Sequence, residues 1–429
     1  MALVSVISGS LFAALMTLTP LKNLAYSRLP HSRGRLTGLI PTNLKDPVNI
    51  LILGIDNSGH PHQGKFTPAE ALAGNSDTML LVRLEPDTHK INVLSIPRDT
   101  LIHLKGVGID KINDANVRGG PKQAAEAVHD LLDGVGIDRY IRLDTEGFIH
   151  LVDALGGVEV TIPEKMDYVD HTQKLNIHFS PGRQRLNGQH LQEYIRFRHD
   201  RLGDIGRVQR QQQVLKEILH TLLQPASLGK IPQLLEVVKD NVDSDLSVNE
   251  MLGIAHTLMV SDRQHMHLVM LPGRFSRRSE YKLSYWIHDP KVTSSIVSRY
   301  FNINTTQELS KNSDLTEPSL KIAVANGTGV PRNGEIVVSF LRKHGFRNAY
   351  ATNINTITNT QNTQIIAEHG NPDSANTVSS VLGTGEVQVA SVGDILSDVT
   401  IVVGPDLVEK LRNQKPEANR TSLTKLHHR

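Results

Sequence analysis

The chain has 429 residues, of which 39% are hydrophobic and 21% charged, with a formal net charge of +2 and no cysteine. That length allows two domains plus tails, since single cores stop growing near ~250–300 residues. The near balance of charge excludes a general nucleic-acid binder, and the missing thiols exclude disulfides, thiolate nucleophiles and Cys-ligated zinc.

The first candidate element is Ala2–Leu18, an uncharged apolar run that ends at Thr19-Pro20. A spanning helix needs ~20 apolar residues, so the run is at the short limit. Lys22, Arg28, Arg33 and Arg35 follow it. By the positive-inside rule they favour a cytoplasmic downstream side, unless further basic residues lie upstream. Residues 1–24 are expected to be a membrane anchor or signal segment with the remainder outside the cytoplasm, a buried core helix being the other reading. Residues 25–47, rich in Pro, Gly and Arg, read as a linker.

Asn49–Ile55 predicts a strand buried on both faces. It ends at Asp56, which is either an Asx-turn residue or a ligand. Met79–Leu84 and Ile91–Ile96 flank the turn-rich Glu85-Pro-Asp-Thr-His-Lys90 and predict a hairpin. With Leu84 opposite Ile91, Asp77 falls opposite Arg98 just beyond one edge of the sheet. That pair reads as an ordinary salt bridge or as a metal ligand beside a phosphate clamp.

Between Tyr194 and Gln213 stand arginines 196, 198, 201, 207 and 210, against Asp200 and Asp204. Guanidinium forks match phosphate oxygens two at a time, so such crowding predicts an anionic ligand. An extended Tyr194–Arg198 would put Arg196 and Arg198 on one face. A helix is predicted from about Ile205 to Leu223, with Val208, Leu215, Leu219 and Leu222 as its apolar stripe. Helical spacing puts Asp204, Arg207 and Gln211 together on it, and its N-terminus favours anions. Arg201 and Arg210 rank as bystanders. Asp204 is either the helix N-cap or a group that orients Arg207 or acts as a base.

The rest of the chain carries weaker signals. The 20 histidines include no H-x-x-x-H or H-E-x-x-H pair with supporting ligands, and there is no G-x-S-x-G elbow. Gly327-Thr-Gly329 lacks the lysine and spacing of a P-loop. Gly156-Gly157 reads as a turn into a strand, and Asp110 and Asn113 as site supports or loop formers. Helical patterning runs to about Met259, then a strand at Met266–Leu271 and a polar linker at 302–318. Leu320–Ala325, Asn333–Lys343 with Gly345 as its stop, Asp373–Leu382 and Val399–Val403 predict a strand, two helices and a last strand. Residues 411–429 read as a disordered tail.

Several of these segments, in order, resemble the LytR-CpsA-Psr family of cell-envelope enzymes. The landmarks are Gly54-Ile-Asp56, Ser76-Asp-Thr-Met79, Ser95-Ile-Pro-Arg-Asp-Thr100, Asp110-Lys-Ile-Asn113, Leu151–Val158, Leu186-Asn-Gly188 and the arginine segment to Gln212. The resemblance implies an α/β (α+β) fold with a central mixed sheet flanked by helices over 48–301. Residues 319–410 resemble the small α/β C-terminal domain often appended to the family. Also implied is a phosphotransferase that moves a polyprenyl-diphosphate-linked glycan onto peptidoglycan or another wall acceptor, at the cell membrane and with no nucleic-acid partner. It would use Mg²⁺, for which Mn²⁺ could substitute, held by Asp56 and Asp77. Arg98, Arg196, Arg198, Arg207 and Gln211 would hold the diphosphate, with Arg98 and Asp204 as candidate catalytic residues. A polyprenyl-diphosphate hydrolase and a membrane-bound transcriptional regulator are the rival readings. Ser58 departs from the family, which often has arginine there.

Overall fold

The computed structural model describes residues 44, 46–56, 72–170, 175–197, 204–228, 230, 233, 234, 236, 237, 242–261, 266–302, 319–352 and 360–413; Asp56, Leu175, Asp204, Ile205, Pro225, Leu228, Val248 and Met259 are described at the backbone only. The expected anchor at Ala2–Leu18, Arg198, Arg201, the linkers at 25–47 and 302–318 and the tail at 411–429 fall wholly or largely outside these residues. Among the described residues no helix is long and apolar enough to cross a membrane.

Strands β1 (Val48–Asp56), β2 (Asn75–Glu85) and β3 (Lys90–Ser95) form the middle of a six-stranded sheet. Strand Arg139–Asp144 lies parallel beside β1, and Val242–Ser244 pairs antiparallel outside it. On the other side Met266–Met270 runs parallel to β3. The sheet is therefore mixed, as the resemblance implied. Apolar residues on both faces draw helices to both sides. Leu51, Leu53, Leu81 and Leu94 pack with Ala124 and Val128 of helix Asp114–Leu131 and with Ile296 and Val297 of helix Pro290–Phe301. Ile50, Leu80, Leu84 and Val93 pack on the opposite side with Leu215 and Leu219 of helix Asp204–Leu222 and Ile254 of helix Val248–Val260.

The predicted hairpin forms in the predicted register, with Leu84 opposite Ile91 and Leu80 opposite Ser95. Two other expectations are corrected. Tyr194–Arg196 is not extended but closes a helix, Gly188–Arg196, capped at its start by the Asn187 side chain on the His190 N–H. Leu191 and Tyr194 are one turn apart and fully buried, so helical spacing meets the core where alternation would not. Helical patterning past Gln224 is likewise broken by the strand Val242–Ser244, after which Ser247 and Glu250 start helix Val248–Val260 with a reciprocal capping box.

A second sheet has the strand order Ala349–Thr352, Ile322–Asn326, Val399–Val403, Gln364–Ala367, Glu386–Val389. Helices Asn333–Lys343, Pro372–Leu382 and Pro405–Asn413 cover it around buried Leu341, Phe346, Val378 and Leu407. This unit sits directly on the first. The Ser391 N–H donates to the Leu268 carbonyl at 2.8 Å, and the Met270 N–H donates to Ser391 Oγ at 2.8 Å. Ile395 joins the first unit's core cluster, to which Val208 and Trp286 also belong.

Inside the second unit Glu368 is wholly buried. Its Oε1 accepts the Gly393 N–H at 2.9 Å. Burial pushes its carboxyl up to about 8, against the opposing pull of the Thr400 hydroxyl, the Gly393 N–H and, more distantly, Lys216; Asp394 adds to the rise. A carboxyl whose folded value lies above its unfolded one keeps a proton that the unfolded chain has released. Stability should therefore fall as pH rises from about 4.5 towards about 8. Glu368→Gln should flatten that slope in thermal unfolding midpoints taken across this range; an unchanged slope would exclude Glu368 as its source.

Candidate functional site

The site begins with an irregularity in β2. Gly54 pairs with Thr78 and Ile55 with Ser76, so Asp77 is skipped and falls in a bulge. A bulge re-aims the extra residue away from the ladder. Asp77 consequently meets Arg98, whose Nη1 donates to its Oδ2 at 2.6 Å. The continued β2–β3 register puts these two residues opposite each other. Both are partly buried, with side chains 32% and 23% exposed, so the contact is worth more than a solvated surface pair. Asp56 ends β1 opposite Asn75, at the same end of the sheet. Mg²⁺ takes one or two carboxylates, with phosphate oxygens and waters completing its octahedron, and two aspartates at one sheet end are donors of that kind. Among residues with described side chains, no group of three or more His, Asp or Glu could hold a metal.

Arg98 stands in a turn after Pro97, closed by the Thr100 N–H on the Pro97 carbonyl at 2.9 Å. Asn113 holds this turn to β2. Its N–H donates to the Arg98 carbonyl at 3.2 Å, and its own carbonyl accepts the Ser76 N–H at 3.2 Å. Asn113 thus supports the site through its backbone. Asp110 accepts from Arg118 at 3.1 Å, a partly solvated contact.

The residue next to Arg98 gathers the charges. Asp99 Oδ1 accepts from Lys111 Nζ at 2.7 Å, while its Oδ2 lies 3.8 Å from Arg98 Nε and 3.9 Å from Arg207 Nη2. Three cations from three parts of the chain converge on one carboxylate. With Asp77 counted, three positive groups face two negative ones, and the excess favours an anion. Sequence reasoning passed over Asp99 and Lys111 as charge partners. The available signal was the hairpin Leu101–Leu104 with Gly108–Lys111, which sets Lys111 opposite Leu101 and so close to Asp99.

Helix Asp204–Leu222 brings Arg207, nine-tenths buried, to this cluster, with Gln211 one turn on. Arg210 faces elsewhere, its guanidinium donating to the Phe197 carbonyl and lying 5.5 Å from the Phe197 ring. That contact ties the residue after Arg196 to the long helix. Arg196 itself is the last residue of its helix and partly exposed; Arg198 lies outside the described residues. Asp204 is the first residue of the long helix. The geometry joins Asp77, Arg98, Asp99, Lys111 and Arg207 by direct contacts, with Asp56 placed at the same sheet end by its backbone.

The LytR_cpsA_psr family model matches residues 25–300. The chain belongs to the LytR-CpsA-Psr family. A second model, described as LytR cell envelope-related transcriptional attenuator, matches residues 319–407. Among similar curated proteins, Biofilm regulatory protein A of Streptococcus mutans is 33% identical over 213 residues, 47% of this chain and 51% of that protein. The polyisoprenyl-teichoic acid–peptidoglycan teichoic acid transferase TagV of Bacillus subtilis is 33% identical over 218 residues, 49% of this chain and 52% of that protein. The TagU counterpart of Oceanobacillus iheyensis is 34% identical over 214 residues, 48% of this chain and 61% of that protein. The chain thus spans about half to three-fifths of the length of these relatives. The crystal structure of B. subtilis TagV aligns at a TM-score of 0.51 with 25% identity, covering 61% of this chain and all of that one.

Neutralising the carboxylate at the centre of the LytR-CpsA-Psr cluster tests how far it holds these cations together. Asp99→Asn should lower unfolding free energy by roughly 1–3 kcal/mol, the cost of leaving part-buried charges without their partner. Urea unfolding measures this, and an unaltered midpoint would mean that Asp99 does not hold the cluster.

Proposed function

We propose that this chain is a phosphotransferase that moves a polyprenyl-diphosphate-linked glycopolymer onto peptidoglycan or another wall acceptor. The observation that carries the reading is the Arg98 guanidinium, fixed 2.6 Å from Asp77 at the sheet end, with Arg207 converging on the neighbouring Asp99. Paired arginines of this kind suit the oxygens of a diphosphate. The names of the TagU and TagV relatives, teichoic acid transferases acting between a polyisoprenyl carrier and peptidoglycan, support the classes of donor and acceptor.

In this reading Arg98, Arg196, Arg198, Arg207 and Gln211 bind the diphosphate, and Asp56 with Asp77 would hold Mg²⁺ or Mn²⁺. A bound cation would neutralise diphosphate charge and favour loss of the leaving phosphate. The acceptor hydroxyl attacks the phosphorus that bears the glycan. An oxygen–phosphorus bond forms to the acceptor, the bridging phosphorus–oxygen bond breaks, and polyprenyl phosphate departs with its electron pair. The acceptor proton passes to a base, for which Asp204 at the start of the long helix is the candidate. The arginines stay charged throughout and spread the negative charge that develops on the leaving phosphate. The Ala2–Leu18 run anchors the chain in the cell membrane with its catalytic part outside the cytoplasm, where lipid donor and wall acceptor meet.

The test is transfer by the full chain, given a polyprenyl-diphosphate-linked sugar, Mg²⁺ and a glycan acceptor. Arg98→Ala and Asp77→Ala should each lower kcat/KM by about 100-fold or more, the usual loss when one group stabilising developing charge is removed. Their far-UV circular dichroism should be unchanged. Wild-type rates in Arg196→Ala would remove that residue from the site. Release of polyprenyl phosphate with no labelled glycan on the acceptor would identify water as the acceptor and the chain as a hydrolase.

A further inference from the structure

The long helix Asp204–Leu222 is held from two opposite sides. At about 100° per residue, Arg207 and Gln211 lie within roughly 40° of each other, while Gln209 and Lys216 lie roughly 160–180° away from Arg207. Arg207 reaches the charged cluster, and Gln211 lies on the same side of the helix. The second pair faces the C-terminal unit. Gln209, buried at 4% exposure, donates through Nε2 to the Gly393 carbonyl at 2.9 Å. Two turns later Lys216 Nζ donates to Gln388 Oε1 at 3.0 Å. Two other buried polar side chains of the same stretch are also tied, Arg210 to the Phe197 carbonyl and Gln212 to Ser95 Oγ. The start of this helix is thus fixed by polar contacts in several directions, and one of those directions belongs to the second unit.

The Gly393 side of the contact is stiff. A Cβ on Gly393 would stand 2.2 Å from Glu368 Oε1 and 2.5 Å from Thr400 Oγ1, so only glycine fits there. Its N–H is held by the buried Glu368 carboxyl, and the neighbouring Asp394 N–H by Thr400 Oγ1 at 2.8 Å. The carbonyl that receives Gln209 therefore comes from an immobilised backbone. Rolling the helix by ~20° would carry the end of a side chain ~6 Å from the helix axis through about 2 Å, and a shift of ~1 Å is enough to weaken positioned chemistry severely.

We propose that Gln209 is a positioning residue through which the C-terminal unit sets the rotation of the helix carrying Arg207 and Gln211 at the diphosphate site. The inference rests on the diphosphate reading given above. It gives the second unit a task, to act as an intramolecular brace on the first.

The experiment uses the full chain and two near-isosteric variants, Gln209→Met, which removes the donor, and Gln209→Glu, which sets a carboxylate against the Gly393 carbonyl. Amide hydrogen exchange is followed over residues 206–214 and 391–396, and binding of farnesyl diphosphate with Mg²⁺ is measured in parallel. Both variants should speed exchange in both segments together, leave β1 and β3 protected, and weaken farnesyl diphosphate binding by about tenfold, as expected for loss of one buried hydrogen bond. In the transfer assay Gln209→Met should raise KM more than it lowers kcat, while Arg207→Ala should both raise KM and lower kcat. Faster exchange at 391–396 with 206–214 unchanged, or unaltered diphosphate affinity in both variants, would overturn the proposal. Failure of the unaltered chain to bind farnesyl diphosphate would instead remove the diphosphate reading, and the proposed role with it.

Discussion

The register between β2 and β3 governs where the charged groups of this protein stand. Because Leu84 pairs with Ile91, the strands run out in step and deliver Asp77 and Arg98 to the same point beyond the sheet. A slip of one residue would invert the faces of the strand and send Leu81 and Leu94, both wholly buried, towards the wrong layer. Hydrophobic burial on two faces thus fixes the register, and the register fixes the ion pair. The bulge at Asp77 is the local departure from that ladder, and it turns this carboxylate to Arg98.

Around that pair the chain uses acidic residues to make cationic crowding tolerable. Asp99 takes Lys111 directly and draws Arg98 and Arg207 within 4 Å. Like charges so near one another repel strongly in a partly buried setting. A carboxylate between them lowers that cost while leaving the cluster net positive. The cluster is assembled from a turn after β3, a small hairpin and a helix about a hundred residues later, so it depends on the tertiary fold rather than on any one segment.

Most of the fold was legible because its signals are local and redundant. β1, the β2–β3 hairpin, the long helix and the C-terminal helix Asn333–Lys343 all carry clear periodicity with turn or cap residues at their ends. The Tyr194–Arg198 stretch misled because Arg-Phe-Arg alternates as a strand would, whereas its place was decided upstream, by the Asn187 cap and by Leu191 and Tyr194 entering the core at helical spacing. Of the site, Asp77 and Arg98 were readable because a hairpin register is simple arithmetic. Asp99 as a hub was not, since Arg207 reaches it from a helix whose approach no sequence spacing encodes, and the short hairpin that brings Lys111 beside it carries a weaker signal. The contact of Gln209 with Gly393 is of the same kind, joining residues far apart in the chain.

The meeting of the two units has one further consequence. Strand Met266–Met270 is the last of the six-stranded sheet, and Ala390 pairs with Leu268 in a single parallel bridge, Ser391 using both its N–H and its hydroxyl on the same strand. A bare strand of that kind, apolar on its inner face, offers unpaired backbone groups to any other chain that approaches. Here a segment of the same polypeptide occupies that position. The C-terminal unit thus covers part of this edge strand, where another chain would otherwise meet free backbone groups.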